Sequence, residues 1–257
     1  MRYCAVMIVV GLTFVGVTPA LAEDPHWLFS TSINYSRGDY GTDENTTIVY
    51  VPFTFGAAWD RLEFKLTVPY LRQTSENVTV TGGGVAVRSG QQARTTEGGI
   101  GDILLRGSYI ILEEQQVLPE VAPYVKIKFP TADEDRGLGT GKFDETLGVD
   151  FAKTFLERWT GFLTLAYTFI GSPSGADLRD SFSWSMGAAY SVTRPLSVFA
   201  FLDGAQAISP HQVDPWGLRF GSEYRLTRVM KLTGSVGVGL TRGEADFSLS
   251  GGVAFRF

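Results

Sequence analysis

Beyond residue 22 the sequence has no apolar run approaching the roughly 20 residues that a membrane-spanning helix needs. Insertion of that part of the chain as helices is excluded. Cysteine is almost missing, with Cys4 the only one in 257 residues. It lies in the basic start rather than behind a small-residue cleavage box, so it is no lipid acceptor, and a disulfide framework is excluded. Histidine is limited to His26 and His211. His26 lies at the very start of the first strand, no histidine sits beside a serine on a strand face at membrane depth, and His211 neighbours Ser209 and Asp214 only along the chain, which is poor evidence for a Ser-His-Asp triad. The expectation is a protein that is not an enzyme and holds no metal or other cofactor. Basic charge is also short. Lys and Arg number 22 against 27 Asp and Glu, a formal −5, which argues against nucleic acid as a partner.

What is present begins with a leader. Arg2 supplies a short basic start, residues 5–17 (AVMIVVGLTFVGV) are apolar without interruption, and Pro19 breaks the run. Ala20-Leu21-Ala22 then places small residues at positions −3 and −1 of a cut before Glu23. The expected organisation is a signal peptide over 1–22 and one domain over 23–257, exported to the bacterial outer membrane.

That domain reads as alternation broken by turn residues. Leu62, Phe64, Leu66, Val68 and Tyr70 oppose Arg61, Glu63, Lys65 and Thr67. Val121, Pro123, Val125, Ile127 and Phe129 oppose Tyr124, Lys126 and Lys128, and Phe182, Trp184, Met186, Ala188 and Tyr190 oppose Ser183, Ser185 and Gly187. A period of two makes one face of each strand apolar. Twelve such strands are predicted, at 26–36, 46–58, 61–71, 99–112, 119–129, 144–155, 160–170, 181–191, 196–206, 214–225, 229–240 and 246–257. Tight connections such as Trp59-Asp60, Glu157-Arg158 and Thr227-Arg228 alternate with long polar ones at 38–45, 73–98, 131–143, 171–180, 209–214 and 241–246. Short periplasmic turns opposite longer external loops are the outer-membrane pattern. Aromatics gather at both strand ends, with Trp27, Trp59, Trp159 and Tyr224 at one and Tyr70, Tyr167 and Trp216 at the other, at headgroup depth. The last strand ends on Phe257, an aromatic side chain with no polar tail behind it. Such an end suits lipid and recognition by the barrel-assembly machinery. The expected fold is all-β, a transmembrane antiparallel β-barrel of about twelve strands. A soluble β-sandwich would have to bury every apolar face between two sheets, and the leader, belts and loop asymmetry oppose it. In lipid no water satisfies a free strand edge, so the first strand must pair with the last.

The inward faces carry the candidate chemistry. Glu63, Lys65, Asp102, Arg106, Lys126, Lys128, Arg219 and Glu223 are the residues expected to line the lumen and meet solute, beside Asp150, Asp203, Lys231 and Arg256. They read either as a polar pore lining or as cross-strand ion pairs that rigidify a narrow barrel. Segment 73–98 contains a hairpin, Asn77 to Thr81 and Val85 to Arg88 around three glycines, that could fold inward or stand outward. Segment 130–143 is no phosphate loop, because Arg136 stands where that motif has glycine and Phe143 where it has Ser or Thr. Its acids do not have EF-hand spacing.

Residues 98–150 contain a G-x-G-D strand start (Gly99, Gly101, Asp102), a K-x-K-F-P-T-A strand end (Lys126 to Ala132) and a G-L-G-T-G-K loop (Gly137 to Lys142). With the later run Leu165 to Gly171, this resembles an outer-membrane transporter family associated with the meta-pathway of phenol degradation. The resemblance implies a barrel with a channel or transporter role for small aromatic or other hydrophobic compounds, and points to Asp102, Lys126 and Lys128 as positions to test. The leading expectation is passage of small molecules along a charged lumen. The alternatives are a closed structural or adhesive barrel acting through its loops and, third, an outer-membrane enzyme.

Overall fold

The computed structural model describes residues 25–41, 45–75, 78–81, 85–88, 95–173, 176–210 and 212–257. The expected signal peptide, the glycine turn of the 73–98 hairpin and His211 lie outside them. The strands are β1 (His26–Gly38), β2 (Thr46–Trp59), β3 (Leu62–Ser75), β4 (Val78–Thr81), β5 (Val85–Arg88), β6 (Thr95–Ile100), β7 (Ile103–Tyr109), β8 (Glu120–Phe129), β9 (Asp144–Phe155), β10 (Trp159–Ile170), β11 (Ser181–Ser191), β12 (Leu196–Ala205), β13 (Trp216–Arg225), β14 (Met230–Gly239) and β15 (Phe247–Arg256). All but β4 and β5 belong to one antiparallel sheet. It closes because β1 pairs with β15 from Leu28↔Arg256 to Arg37↔Phe247, and β2 pairs with β3. Backbone bonds between Trp27 and Phe257, at 2.9 and 3.2 Å, extend the seam to the periplasmic rim. Closure leaves no strand edge for lipid to meet.

β6 and β7 lie end to end against β3, so the wall has twelve staves. The fourth stave therefore begins at Thr95, earlier than alternation predicts, and it is not continuous. From Tyr70↔Ile100 to Thr67↔Leu104, β3 advances three residues while its partner advances four. The extra residue is a β-bulge at Gly101–Asp102, where the Gly101 N–H reaches the Pro69 carbonyl at 2.8 Å. Below the bulge the even positions, including Arg106, face inward; above it the odd positions Glu97 and Gly99 do. β3 also runs to Ser75, so the long external connection is shorter than expected, and β4 and β5 form a separate antiparallel pair within it, Val78↔Arg88 to Thr81↔Val85.

The outward face is apolar. Ile33, Phe53, Phe64, Leu66, Val125, Leu147, Met186, Phe220, Val236 and Leu249 are all exposed, a surface that lipid covers and water would not. Trp27, Trp59, Tyr109 and Trp159 are exposed at the periplasmic rim, Tyr70, Tyr167 and Trp216 at the external one. Replacing outward Val236 by Arg is expected to cost about 2–4 kcal/mol, against almost nothing for Leu, in urea-dependent folding into vesicles. Equal stability of the two variants would mean that this face is not in lipid.

Candidate functional site

The inward faces differ around the barrel. On β1 and β15 they are small and polar. Ser250 Oγ donates to Asn34 Oδ1 at 2.7 Å, and Asn34 Nδ2 donates to Ser32 Oγ at 2.9 Å and to the Tyr50 carbonyl at 3.0 Å. Charged inward residues stand on β3, β7, β8, β9, β12, β13 and β14, with inward rings on β8 and β12 among them, and strand register brings the opposite charges together. Lys65 meets Glu63 at 2.7 Å on β3, Lys231 meets Glu223 at 2.8 Å between β14 and β13, and Arg219 meets Asp203 at 3.4 Å between β13 and β12. Arg106 on β7 bonds Asp150 on β9, which also accepts from Thr164 Oγ1 at 2.7 Å. Apart from Lys65–Glu63, which lies within β3, each pair spans one stave to the next or the next but one. The charges neutralise one another along the wall, not across the lumen.

The inward aromatics are held flat by glycine. Tyr124, Phe201 and Phe199 sit directly across from Gly148, Gly187 and Gly221 in register. A Cβ on any of these glycines would lie 2.3, 2.3 and 2.4 Å from the facing ring, so the ring occupies the space a side chain would take. Arg106 stacks over Tyr124 at 3.9 Å, and Arg219 over Phe201 at 4.7 Å.

One external connection turns inward. The connection 130–143 between β8 and β9 folds into the barrel and puts Leu138 in one buried cluster with Tyr40, Ile48, Tyr50, Leu71, Ala132 and Ala245. Tyr50 and Leu71 are cross-strand partners on the inward faces of β2 and β3, and Gly99 on β6 clears the space for Leu138, whose Cδ1 would be 2.9 Å from a Cβ there. The base of this loop is strongly held. Lys128 lies between Asp144 at 2.8 Å and Asp102 at 3.5 Å and donates to Thr140 Oγ1 at 3.0 Å, while Asp102 accepts the Ala132 N–H at 2.9 Å. The tip is held more lightly. Arg136 Nε meets Glu97 at 2.9 Å in an exposed pair, worth about 0–1 kcal/mol, and Gln73 Nε2 reaches the Gly137 carbonyl at 3.4 Å. The main attachment of the tip is the burial of Leu138, about 1.5–3 kcal/mol.

All eight residues expected from the sequence face inward. Glu63 pairs with Lys65 and Asp102 with Lys128, Lys126 lies beside Arg106 in register, and Arg219 and Glu223 pair with neighbours on their own side. Lys128 and Asp102 are buried at the base of the inward loop instead of lining open space, and Asp144 completes their cluster. Sequence reasoning missed Tyr40, Leu138, Phe199 and Phe201. Phe199 and Phe201 share their parity with Asp203, which marks the inward face of β12; nothing local marks a loop leucine that packs against strands as distant in sequence as β2 and β3.

A closed antiparallel wall with an apolar outer face and a charged, aromatic lumen defines this as a transmembrane β-barrel of the outer-membrane type. The chain belongs to the family described as "Putative MetA-pathway of phenol degradation", whose model matches residues 77–257. No curated protein sequence matches it. Among solved structures it is similar to an outer-membrane channel from Pseudomonas putida F1, at 16% identity over 94% of this chain and 100% of that one, with a TM-score of 0.74. It is also similar to the KdgM porin solved with disordered oligogalacturonate, at 8% identity over 90% and 99% with a TM-score of 0.53. The CymD monoaromatic hydrocarbon channel matches at 11% identity over 92% and 89%, with a TM-score of 0.51. These likenesses show the fold.

Proposed function

We propose that the chain passes small molecules, aromatic and other apolar ones included, through the outer membrane by passive diffusion along its charged lumen. The observation that carries this reading is the direction of the ion pairs. Arg106–Asp150, Arg219–Asp203 and Lys231–Glu223 run along the wall, which leaves the charges balanced without bridging the barrel. Aromatic rings laid flat on glycines add apolar surface to that wall at little cost in width. Membership in a family described by phenol degradation, and similarity of fold to a channel described as one for monoaromatic hydrocarbons, support the same solute class. In this reading residues 1–22 are removed on export, the apolar band meets outer-membrane lipid, and the barrel-assembly machinery recognises the strand that ends on Phe257. No step calls for catalysis.

The test is single-channel conductance of refolded residues 23–257 in a planar bilayer. Steady ion conductance is expected, and Lys126→Glu, which reverses one inward charge beside Arg106, is expected to shift ion selectivity toward cations. A folded barrel that stays silent would overturn the channel reading and favour a closed barrel that acts through its external loops.

A further inference from the structure

The lumen is polar over most of its length, yet near its external mouth it carries a buried apolar cluster. Leu138 and Ala132 join that cluster from one loop, whereas the rest of the seat is built on the wall by Ile48, Tyr50 and Leu71, with Tyr40 and Ala245 from the two neighbouring external connections. The fold supports the seat independently of the plug. Gly99 removes the one side chain that would fill it from β6, and Ser36 fixes Tyr40 by a 2.9 Å hydroxyl–hydroxyl bond. The plug is separable from its own base, because the Lys128 cluster anchors Ala132 and Thr140, whereas the tip bonds mostly within the loop. There the Leu138 N–H donates to the Asp133 carbonyl at 3.0 Å and the Gly137 N–H to the Glu134 carbonyl at 3.0 Å, and the tip meets the wall through the exposed Arg136–Glu97 pair and the long Gln73 bond.

We propose that this seat is a binding site for a small apolar molecule of about the size of a benzene ring, and that Leu138 occupies it until such a molecule takes its place. A leucine side chain in a dry apolar cavity is exchangeable for an apolar ligand of similar volume, since cavities of that kind stay empty of water and accept benzene. A polar solute gains little by displacing Leu138, because it would lose its hydration and the Tyr40 hydroxyl is already bonded to Ser36. The loop therefore answers selectively to apolar solutes, since a ligand shifts an equilibrium only by its preference for one state. Leu138 is the specificity-determining residue, and the Lys128 cluster is the hinge that keeps the loop in place when its tip lifts. This rests on the channel reading for its purpose, but not for its binding chemistry.

The test uses the refolded chain 23–257 carrying Leu138→Cys, which then holds a single thiol, with closure of the barrel checked by heat-modifiable gel mobility. Labelling by a water-soluble maleimide is expected to be slow, severalfold faster with benzene, and unchanged by glucose. An Asp135→Cys control on the exposed side of the same loop is expected to label quickly with or without benzene. In the bilayer, Leu138→Ala is expected to raise ion conductance severalfold over the unsubstituted chain. Labelling of Leu138→Cys that ignores benzene, or that glucose accelerates equally, overturns the site while leaving a conducting channel intact. A benzene response in a barrel that never conducts supports the site and sinks the channel reading instead.

Discussion

Lys128→Met is expected to destabilise the barrel by about 3–5 kcal/mol, the usual cost of removing one partner from a buried ion pair. Asp102 is fully buried, and Asp144 is 12% exposed, so neither carboxylate can recover in water what it loses when the ammonium goes. The Thr140 hydroxyl would lose its donor at the same time, and the base of the 130–143 loop would be freed. Two measurements follow this from different sides. Urea-dependent unfolding from vesicles should move to lower denaturant, and trypsin should cut faster after Arg136 and Lys142, which lie in the loop. Adding Asp102→Asn and Asp144→Asn to Lys128→Met should recover most of the loss, because the damage is uncompensated charge. A Lys128→Met barrel that is as stable and as protease-resistant as the unsubstituted chain would show that the cluster does not anchor the loop. The same geometry predicts that Lys128→Glu acts mainly on stability, since a residue 3% exposed has little contact with passing ions.

Gly148→Val is expected to reduce conductance severalfold in a barrel that still folds. The three atoms nearest a Cβ at Gly148 all belong to the Tyr124 side chain, at 2.3–2.5 Å, so the strain is relieved by moving the ring and not the backbone. Overpacking of this kind costs about 1–3 kcal/mol. Once off the wall, Tyr124 can only move into the lumen, and Arg106, stacked over it, is drawn away from Asp150. The second variant Tyr124→Ala should restore conductance in the presence of Gly148→Val, since it removes the displaced ring. Conductance unchanged by Gly148→Val would mean that permeation does not pass this level of the wall. Gly187 and Gly221 are poorer choices for the experiment, because a Cβ at either also meets backbone oxygens, of Ala200 and Gly234, at 2.4 Å.

Much of this molecule is written in local pattern. Strand positions, inward and outward faces, closure and the two aromatic belts follow from a two-residue period and from turn residues. These are properties of neighbours along the chain. The charged inward residues were legible for the same reason, as each lies at a fixed parity from an apolar outward one. Tertiary structure alone decided three things. The bulge at Gly101–Asp102 depends on how β3 and the fourth stave share hydrogen bonds around Pro69, and it turns Asp102 toward Lys128. Whether the charges bridge the lumen or pair along the wall depends on which staves are neighbours and in what register, which no single strand contains. The inward fold of residues 130–143 depends on a space left by Gly99 and an apolar seat on β2 and β3, distant in sequence. Alternation specifies a surface one strand at a time; a site that several strands and loops share exists only once they have closed around it.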